Sequence, residues 1–189
     1  MKNILFIIPH PDDEIVGSCC IIKRYISKKK KIFLFFVTNG VISSSSSWFW
    51  NKKKVENMID IRKKEMQLSA KKLGVKTIYF QNISTRTLKD KIFRTYVKIR
   101  KIIISKKIDA LFCPAYEGGH QDHDVSNFIC SKLRNYCKVF EFPEYNYFKN
   151  KINCNKFIKN DDNLTILNLT DEEKEFKKNC LKIYKSEKK

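Results

Sequence analysis

The sequence predicts an α/β fold, a three-layer α/β/α sandwich around a mostly parallel, Rossmann-like sheet. Short apolar runs rich in β-branched residues alternate with longer segments of helical periodicity, which is the pattern of parallel strands joined by helices. Polar residues follow directly after several of these runs, at the position where such sheets carry their active sites. The 189 residues, of which 42% are hydrophobic, fit one core, so we predict a single domain over residues 1–189.

The predicted strands are short, apolar and end abruptly at polar residues or proline. They are residues 4–8, 32–37, 76–80, 110–113, 139–142 and 164–169. The predicted helices carry apolar residues three and four positions apart. They run from about residue 14 to the lysines at 28–31, then over 55–73, 88–105 and 124–136, and from about 171 to 185. The serine-rich segment 41–54 and the polar segment 149–163 are predicted loops.

The chain is strongly basic, with a formal net charge of +19 and a sequence pI near 9.6. Such a charge raises nucleic acid and anionic membranes as partners. However, only six of the 39 basic residues are arginine, the residue that phosphate and base recognition favours. Lysine, isoleucine and asparagine richness is typical of an AT-rich genome, so we expect a solvated basic surface and do not predict a nucleic-acid partner. The basic surface suits an anionic substrate, such as a nucleotide-linked or lipid-linked sugar.

Cysteine usage and the lack of long apolar runs predict a cytoplasmic protein. The seven cysteines are odd in number and show no C-x-x-C spacing, so neither a disulfide framework nor a thiolate zinc site is indicated. The first strand follows the N-terminus without a cleavable signal, and no apolar run reaches membrane-spanning length. A lipid-linked substrate would therefore be reached from the membrane surface, by peripheral contact. The sequence indicates no particular oligomer.

All three histidines follow a predicted strand and lie close to aspartates. One is in the run PHPDDE at residues 9–14, and the other two are in HQDH at residues 120–123. A catalytic zinc ion takes three protein ligands from histidine and carboxylate side chains and leaves one position for water. Two imidazoles and one carboxylate from these runs meet that need. The remaining aspartate and histidine side chains are then available for proton transfer and charge stabilisation.

A simpler interpretation of the first run remains open. His10 could be a strand-end histidine bonded to the backbone, and Asp12 and Asp13 could cap the following helix, since carboxylates are favoured at a helix N-terminus. Capping leaves the second run unexplained, so a metal site is the preferred interpretation.

At these two runs the sequence resembles the PIG-L/LmbE-like family of zinc-dependent N-deacetylases, whose signatures are A/P-H-P-D-D-E and H-x-D-H. Two signatures in this order, each after a strand, are far more specific than one four-residue pattern. The resemblance spans nearly the whole chain. It also covers Thr38-Asn39-Gly40, Arg62-x-x-Glu65, Leu73-Gly74 and Lys178-x-x-Leu181-x-x-Tyr184-x-Ser186. Most members continue further, so the resemblance implies a domain that is short at the C-terminus.

The resemblance implies roles for the residues of both runs. The implied zinc ligands are His10, Asp13 and His123. A site of two histidines and one carboxylate also suits Fe²⁺. Asp12 would be the general base that takes a proton from the zinc-bound water. His120 would stabilise the oxyanion or protonate the leaving amine, and Asp122 would orient a neighbouring imidazole.

Four further positions are candidates for substrate contact. They are Asn39, Arg62, Gly119 and Trp48. In the family, the turn that contains Asn39 shapes the pocket and the arginine bonds substrate hydroxyls; the alternative for Arg62 is an ion pair with Glu65 or Glu56 on the same helix. Gly119 lets the backbone approach metal or substrate closely.

Trp48 would stack on a sugar ring or a lipid interface, or simply anchor its loop. Some family members carry an aromatic hydroxyl where Gly118 stands here, and Tyr116 or Tyr145 are the candidates to replace it.

We therefore predict a zinc-dependent hydrolase that removes an N-acetyl group from an amino sugar of the N-acetylglucosamine type, in glycoconjugate or small-thiol biosynthesis. Its partner would be a small-molecule, lipid-linked or nucleotide-linked amino sugar. Residue spacing supports metal-assisted hydrolysis, whereas the acetyl group and the sugar come from the resemblance. The alternatives are a degenerate homologue that binds metal or glycan without turnover, and a basic nucleic-acid-binding protein.

Overall fold

The computed structural model describes residues 1–42, 49–159 and 163–187, and five of its strands form one sheet. These strands are β1 (Asn3–Ile8), β2 (Lys31–Thr38), β3 (Thr77–Ile83), β4 (Ala110–Pro114) and β5 (Lys138–Phe142). Their order is β3-β2-β1-β4-β5, and every neighbouring pair is parallel. The predicted α/β class is therefore confirmed.

Helices cover both faces of this sheet. They are α1 (Asp13–Val16), α2 (Cys19–Ser27), α3 (Phe49–Leu73), α4 (Ile92–Lys106), α5 (Gln121–Ser131) and α6 (Asp171–Leu181), with 3-10 turns at Leu88–Lys91 and Lys185–Glu187. The even-numbered residues of β1 pack with α2, α3 and α6, and Leu5 and Ile7 pack with α4 and α5. Because β1 is buried on both faces, its sequence is a continuous apolar run rather than an alternating one.

An aromatic ladder connects three strands on one face of the sheet. Phe6 is in register with Phe112, and Phe112 with Phe140. The ring centroids are 4.8 Å apart in the first pair and 5.0 Å in the second, and both pairs are stacked. This ladder fixes β4 beside β1, which matters because both strands lead directly into the polar runs.

The strand order places a topological switch point between β1 and β4. The connection from β1 to β2 passes through α2 on one face, and the connection from β4 to β5 passes through α5 on the other. In open α/β sheets such a divergence leaves a crevice at the carboxyl ends of the two strands. His10 and His120 both lie at this crevice.

Several local predictions were wrong. Residues 164–169 form no strand, and the carbonyl of Asn168 accepts a hydrogen bond from Arg24 at 2.7 Å. Part of the predicted loop 149–163 is a strand: β6 (Tyr145–Phe148) and β7 (Lys151–Cys154) form an antiparallel hairpin.

The helix expected to start near residue 14 is divided into α1 and α2 at Gly17. A Cβ at Gly17 would lie 2.5 Å from the ring of Phe142, so the chain needs glycine where α1 approaches the end of β5. The predicted start of the last helix is confirmed, since Thr170 forms a capping box with Glu173. None of the described helices is both long and apolar enough to cross a membrane.

Candidate metal centre and catalytic site

The two polar runs come together at the carboxyl ends of β1 and β4. His10 lies two residues past the end of β1, and α5 begins directly after His120. Because β1 and β4 are hydrogen-bonded neighbours, His10 and His123 lie side by side although they are 113 positions apart in the chain. Thr38, at the end of β2, bonds the carbonyl of Pro9 through its backbone N–H at 3.0 Å and its hydroxyl at 2.7 Å, which fixes the turn that carries His10.

Three side-chain atoms in this cluster form a nearly equilateral triangle. His10 Nδ1 is 3.1 Å from Asp13 Oδ2. His123 Nε2 is 3.2 Å from the same oxygen, and the two nitrogens are 3.3 Å apart. Zinc binds nitrogen and carboxylate oxygen at about 2.0–2.1 Å, so neighbouring ligands of a tetrahedral ion are about 3.3 Å apart. The donor set and its spacing therefore fit a tetrahedral divalent ion whose fourth ligand is water or substrate.

Two other groups bring possible ligand atoms within 4.8 Å of one another. They are His10 with His120 and His123, and Asp13 with His123 and Glu144. Neither has the close spacing of the triangle. His120 Nδ1 already accepts a hydrogen bond from the backbone N–H of Asp122 at 3.1 Å, and Glu144 faces Nδ1 of His123 rather than Nε2.

Each of the two imidazoles in the triangle has a carboxylate at its other nitrogen. Asp122 Oδ2 is 3.0 Å from His10 Nε2, and Glu144 Oε2 is 3.2 Å from His123 Nδ1. Asp122 is itself held by the hydroxyl of Thr85 at 2.7 Å and the backbone N–H of Arg86 at 2.8 Å. Such carboxylate partners orient metal-binding histidines in general. Asp122 was expected to orient a neighbouring imidazole, and the imidazole that it contacts is that of His10.

Charge interactions shift the pKa values within the triangle. Burial disfavours the imidazolium of His10, but the carboxylates of Asp13 and Asp122 outweigh it and raise its pKa to about 9. Burial likewise opposes the charge on Asp13, but His123 and His10 hold its pKa well below the usual value. The pKa of Asp122 falls to about 2 despite burial, because His10, Arg86 and Thr85 bond it. The carboxylates of Asp13 and Asp122 therefore remain anionic.

Asp12 points its carboxylate away from the helix it precedes. It is the N-cap residue of α1, yet its side chain makes no capping hydrogen bond, and its φ of 126° is strained for a residue with a Cβ. The contact found for its carboxylate is to Nη2 of Arg62 at 3.5 Å. Burial and the charge of Asp13 raise its pKa well above the usual value, against the opposing effect of Arg62. The capping interpretation therefore does not describe Asp12, whose carboxylate is available as a base.

His120 is the N-cap of α5, and its hydrogen bonding defines its tautomer. Because Nδ1 accepts the N–H of Asp122, the proton of the neutral ring is on Nε2. Burial, and then the positive charges of His10 and His123, lower the pKa of His120 to about 4. Its ring lies edge-on to His10 with centroids 4.5 Å apart. At neutral pH His120 therefore offers a hydrogen-bond donor beside the triangle.

Arg62 reaches the site from α3 and is 4% exposed. Its Nη2 donates to the carbonyl of Pro11 at 2.5 Å, and its Nη1 pairs with Glu187. Glu65 instead accepts hydrogen bonds from the backbone N–H of Ser186 at 3.0 Å and from its hydroxyl at 2.5 Å. The alternative ion pair between Arg62 and Glu65 is thus absent from the structure, and the arginine lies beside Asp12 as a pocket residue would.

The other candidate substrate residues differ in what surrounds them. The amide of Asn39 is committed within the protein, donating to Asn82 at 2.9 Å and accepting from the N–H of Val41 at 2.9 Å, so it shapes the turn rather than facing a ligand. A side chain at Gly119 would collide with the backbone and ring of Tyr145. Trp48 and the serines at 43–47 lie outside the described residues.

Of the two tyrosines considered as replacements at position 118, one is next to the site. The ring of Tyr145 packs against His123 with centroids 5.6 Å apart. Burial and the charge of Asp13 raise its pKa, so its hydroxyl stays protonated. Tyr116 is 67% exposed. Tyr145 is therefore the better placed of the two.

Glu144, Thr85 and the environment of Glu14 were missed by reasoning from sequence. Glu144 lies two residues past β5, so the rule that places site residues at the carboxyl ends of strands could have identified it. Glu14 is fully buried and accepts hydrogen bonds from Ser69 and from the hydroxyl of Tyr184 at 2.5 Å. Burial raises its pKa to about 7 against those bonds. No sequence signal pointed to these distant partners.

Comparison with known proteins identifies the family. The family model described as PIG-L, GlcNAc-PI de-N-acetylase, matches residues 5–133, which include both polar runs. The chain belongs to the PIG-L family. A search of curated proteins finds no match to this PIG-L chain.

Solved structures of deacetylases share the fold of this PIG-L chain. N,N'-diacetylchitobiose deacetylase from Pyrococcus horikoshii is 24% identical with a TM-score of 0.70, over 100% of this chain and 71% of its own. A triple mutant of a deacetylase of the teicoplanin biosynthetic pathway is 16% identical with a TM-score of 0.77, over 98% of this chain and 82% of its own. A zinc-inhibited form of teicoplanin deacetylase is 13% identical with a TM-score of 0.73, over 96% and 83% of the two chains.

Proposed function

We propose that this protein is a metal-dependent N-deacetylase that hydrolyses the acetamido group of an N-acetylated amino sugar. The observation that carries the proposal is the triangle of His10 Nδ1, Asp13 Oδ2 and His123 Nε2 next to Asp12, whose carboxylate makes no capping hydrogen bond and lies 3.5 Å from Arg62. Membership of the PIG-L family supports the acetamido sugar as substrate. The deacetylase structures that share the fold are consistent with it.

The triangle would hold the ion, with Zn²⁺ as the first candidate and Fe²⁺ compatible with the same ligands. A divalent ion there supplies Lewis acidity towards a water molecule and the acetyl carbonyl. Asp12 accepts the proton that the attacking water loses, and Arg62 at 3.5 Å limits how basic its carboxylate becomes. Asp12 then returns that proton to the departing nitrogen, so water and amide become acetic acid and a free amine, and the acid loses its remaining proton to solvent as acetate.

His120 complements this proton transfer. Because its Nδ1 accepts the backbone N–H of Asp122, its Nε2–H donates a hydrogen bond to the carbonyl oxygen as negative charge develops there. Of the two roles predicted for His120, oxyanion stabilisation is therefore the one that we propose. The carboxylate of Asp122 orients the ring of His10, and its backbone N–H orients the ring of His120. Asp122 therefore acts through these two histidines.

We propose that the β6–β7 hairpin contacts the part of the substrate beyond the acetamido sugar. Tyr145 and Tyr147 lie on one face of the hairpin with centroids 6.5 Å apart, and Ile152 is the cross-strand partner of Tyr147. Tyr145 contacts His123, whereas Tyr147 and Ile152 are 63% and 64% exposed. The face thus extends outward from the metal centre, as a surface for a ring of the carrier.

The test measures metal content and acetate release in the same sample. Protein stripped of metal is reloaded with Zn²⁺ or Fe²⁺ and supplied with N-acetylglucosamine linked to inositol, nucleoside diphosphate or an oligosaccharide. Asp12→Asn should lower kcat by about 10²–10⁴ while the metal content persists. Asp60→Asn is the matched control, since Asp60 is exposed on α3. Full activity of Asp12→Asn, or of metal-free protein, would contradict the proposal. One bound ion without acetate release from any conjugate would favour the degenerate homologue.

A further inference from the structure

Glu144 is a buried carboxylate that the proposed reaction does not use. It lies between β5 and β6, is 3% exposed, and its backbone carbonyl accepts the N–H of Asn155 at 2.8 Å. Its Oε2 is 3.2 Å from His123 Nδ1. Within the described residues, neither of its carboxylate oxygens has a well-formed hydrogen bond, and burial and then the neighbouring carboxylate of Asp13 raise the pKa of Glu144 well above its usual value. A buried carboxylate with so few partners is unfavourable unless a cation or a donor N–H compensates it.

A direct ligand role for Glu144 does not fit the geometry. His123 uses Nε2 to face His10 and Asp13, at 3.3 and 3.2 Å. Glu144 faces Nδ1, and the two nitrogens of an imidazole point in divergent directions. An ion held by the triangle therefore binds His123 through the nitrogen that Glu144 does not face.

A packing role also explains little. A Cβ on Gly17 would lie 2.7 Å from Glu144 Oε1, so the surroundings are already tight around this side chain. Because a glutamine would fill the same space, the carboxyl group of Glu144 needs a reason that involves its capacity to accept a hydrogen bond.

We infer that Glu144 is a positioning residue for His123, accepting the hydrogen of Nδ1 so that the lone pair of Nε2 faces the metal site. The inference rests on the proposed metal centre, and it matches the arrangement at the other imidazole, where Asp122 contacts His10 Nε2 at 3.0 Å. Each metal-binding histidine then has its tautomer fixed by its own carboxylate. Partners of this kind change metal affinity by about 10- to 100-fold in other sites.

The test compares Glu144→Ala and Glu144→Gln with wild type, and Glu141→Gln serves as the matched control. Glu141 is in the neighbouring strand β5, where its side chain is 35% exposed beside Arg134. Zinc affinity is measured by competition with a chromophoric chelator, and the melting temperature is recorded with and without zinc. Histidine tautomers are read from ¹⁵N NMR of the metal-free protein, which carries three histidines.

We expect Glu144→Ala to weaken zinc binding by about 10- to 100-fold and to mix the His123 tautomers. Glu144→Gln should lose less, because its amide oxygen still accepts the Nδ1 hydrogen, and Glu141→Gln should match wild type. The metal-free melting temperature should not fall in Glu144→Gln, whereas the increase that zinc produces should shrink in Glu144→Ala.

Three results would overturn the inference. Unchanged zinc affinity in Glu144→Ala would show that His123 needs no partner. If Glu144→Ala and Glu144→Gln lose equal zinc affinity while the metal-free melting temperature is unchanged, Glu144 is a direct ligand. If they lose equal zinc affinity and the metal-free melting temperature falls, Glu144 has a packing role. If wild type binds no divalent ion, the proposed metal centre is wrong. The tautomer of His123 in the metal-free protein then still decides whether Glu144 holds its ring.

Discussion

The raised pKa of His10 leads to a quantitative prediction about metal binding. Asp13 and Asp122 raise this pKa to about 9 in the metal-free protein, against the effect of burial. An imidazolium has no lone pair to offer at Nδ1, so an incoming ion must first displace a proton. The free imidazole dominates above the pKa and the imidazolium below it. Zinc affinity should therefore fall as the pH is lowered below about 9.

The size of the effect follows from one displaced proton. Apparent affinity changes about tenfold for each unit of pH well below the pKa, so at pH 7 it should be about 100-fold weaker than at a pH where His10 is fully deprotonated, equivalent to about 2.7 kcal/mol. About one proton should leave His10 for each ion bound at pH 7. This number is a lower bound, because Asp12 and Glu144 also have raised pKa values and add any proton that they release.

Asp122→Asn provides the matched perturbation. It removes a charge that favours the imidazolium of His10, so the loss of affinity should begin at a lower pH than in wild type, whereas the exposed Asp60→Asn should behave as wild type. Isothermal titration calorimetry in buffers of different ionisation enthalpy counts the protons released. Affinity that is constant between pH 6 and pH 8, without proton release, would refute the reasoning, because His10 would then be neutral without metal.

Three further predictions concern the substrate surface and the fold. Tyr147→Ala should raise KM several-fold with little change in kcat, because the residue is exposed on the hairpin and away from the reacting atoms; an unchanged KM on every conjugate would contradict the proposed carrier contact. Phe6→Ala removes a fully buried ring stacked on Phe112 and should lower the free energy of unfolding by about 3–5 kcal/mol in urea denaturation; a loss below about 1 kcal/mol would show that the ladder is dispensable. Thr170→Ala removes the capping box with Glu173 and should cost about 1 kcal/mol in the same assay, and no change would mean that the cap contributes nothing measurable.

The strands of the sheet could be predicted because burial on both faces requires short, continuous apolar runs, a pattern that few other elements produce. β1 is a continuous apolar run from Ile4 to Ile8, and a proline and a histidine follow it at once. A parallel sheet places such ends at one edge, so the convergence of the two polar runs followed from pattern alone. The residue spacing could not say which imidazole nitrogen faces which carboxylate. That choice depends on distances within a few tenths of an ångström.

The errors share a physical cause, which is dependence on tertiary partners. The apolar residues at 164–169 are typical of a strand, but the segment pairs with no strand in the part of the chain that the structure describes, and the carbonyl of Asn168 bonds Arg24 instead. β7 was missed because Lys151-Ile152-Asn153-Cys154 has little strand character, and it pairs only because β6 lies beside it. Glu144 could have been identified as a site residue from its position after β5, but its local sequence does not indicate that its partner is His123.

The charge distribution within the site is itself an argument for a cation. The chain carries a formal net charge of +19, yet four carboxylates, those of Asp12, Asp13, Asp122 and Glu144, surround two imidazoles at the end of β1. Without a metal ion, the protein can compensate this negative charge mainly by binding protons. Against the effect of burial, Asp13 and Asp122 raise the pKa of His10, and burial followed by the charge of Asp13 raises the pKa values of Asp12 and Glu144. A divalent ion within the triangle would supply the same positive charge, and it would release those protons and leave Asp12 anionic as the general base requires.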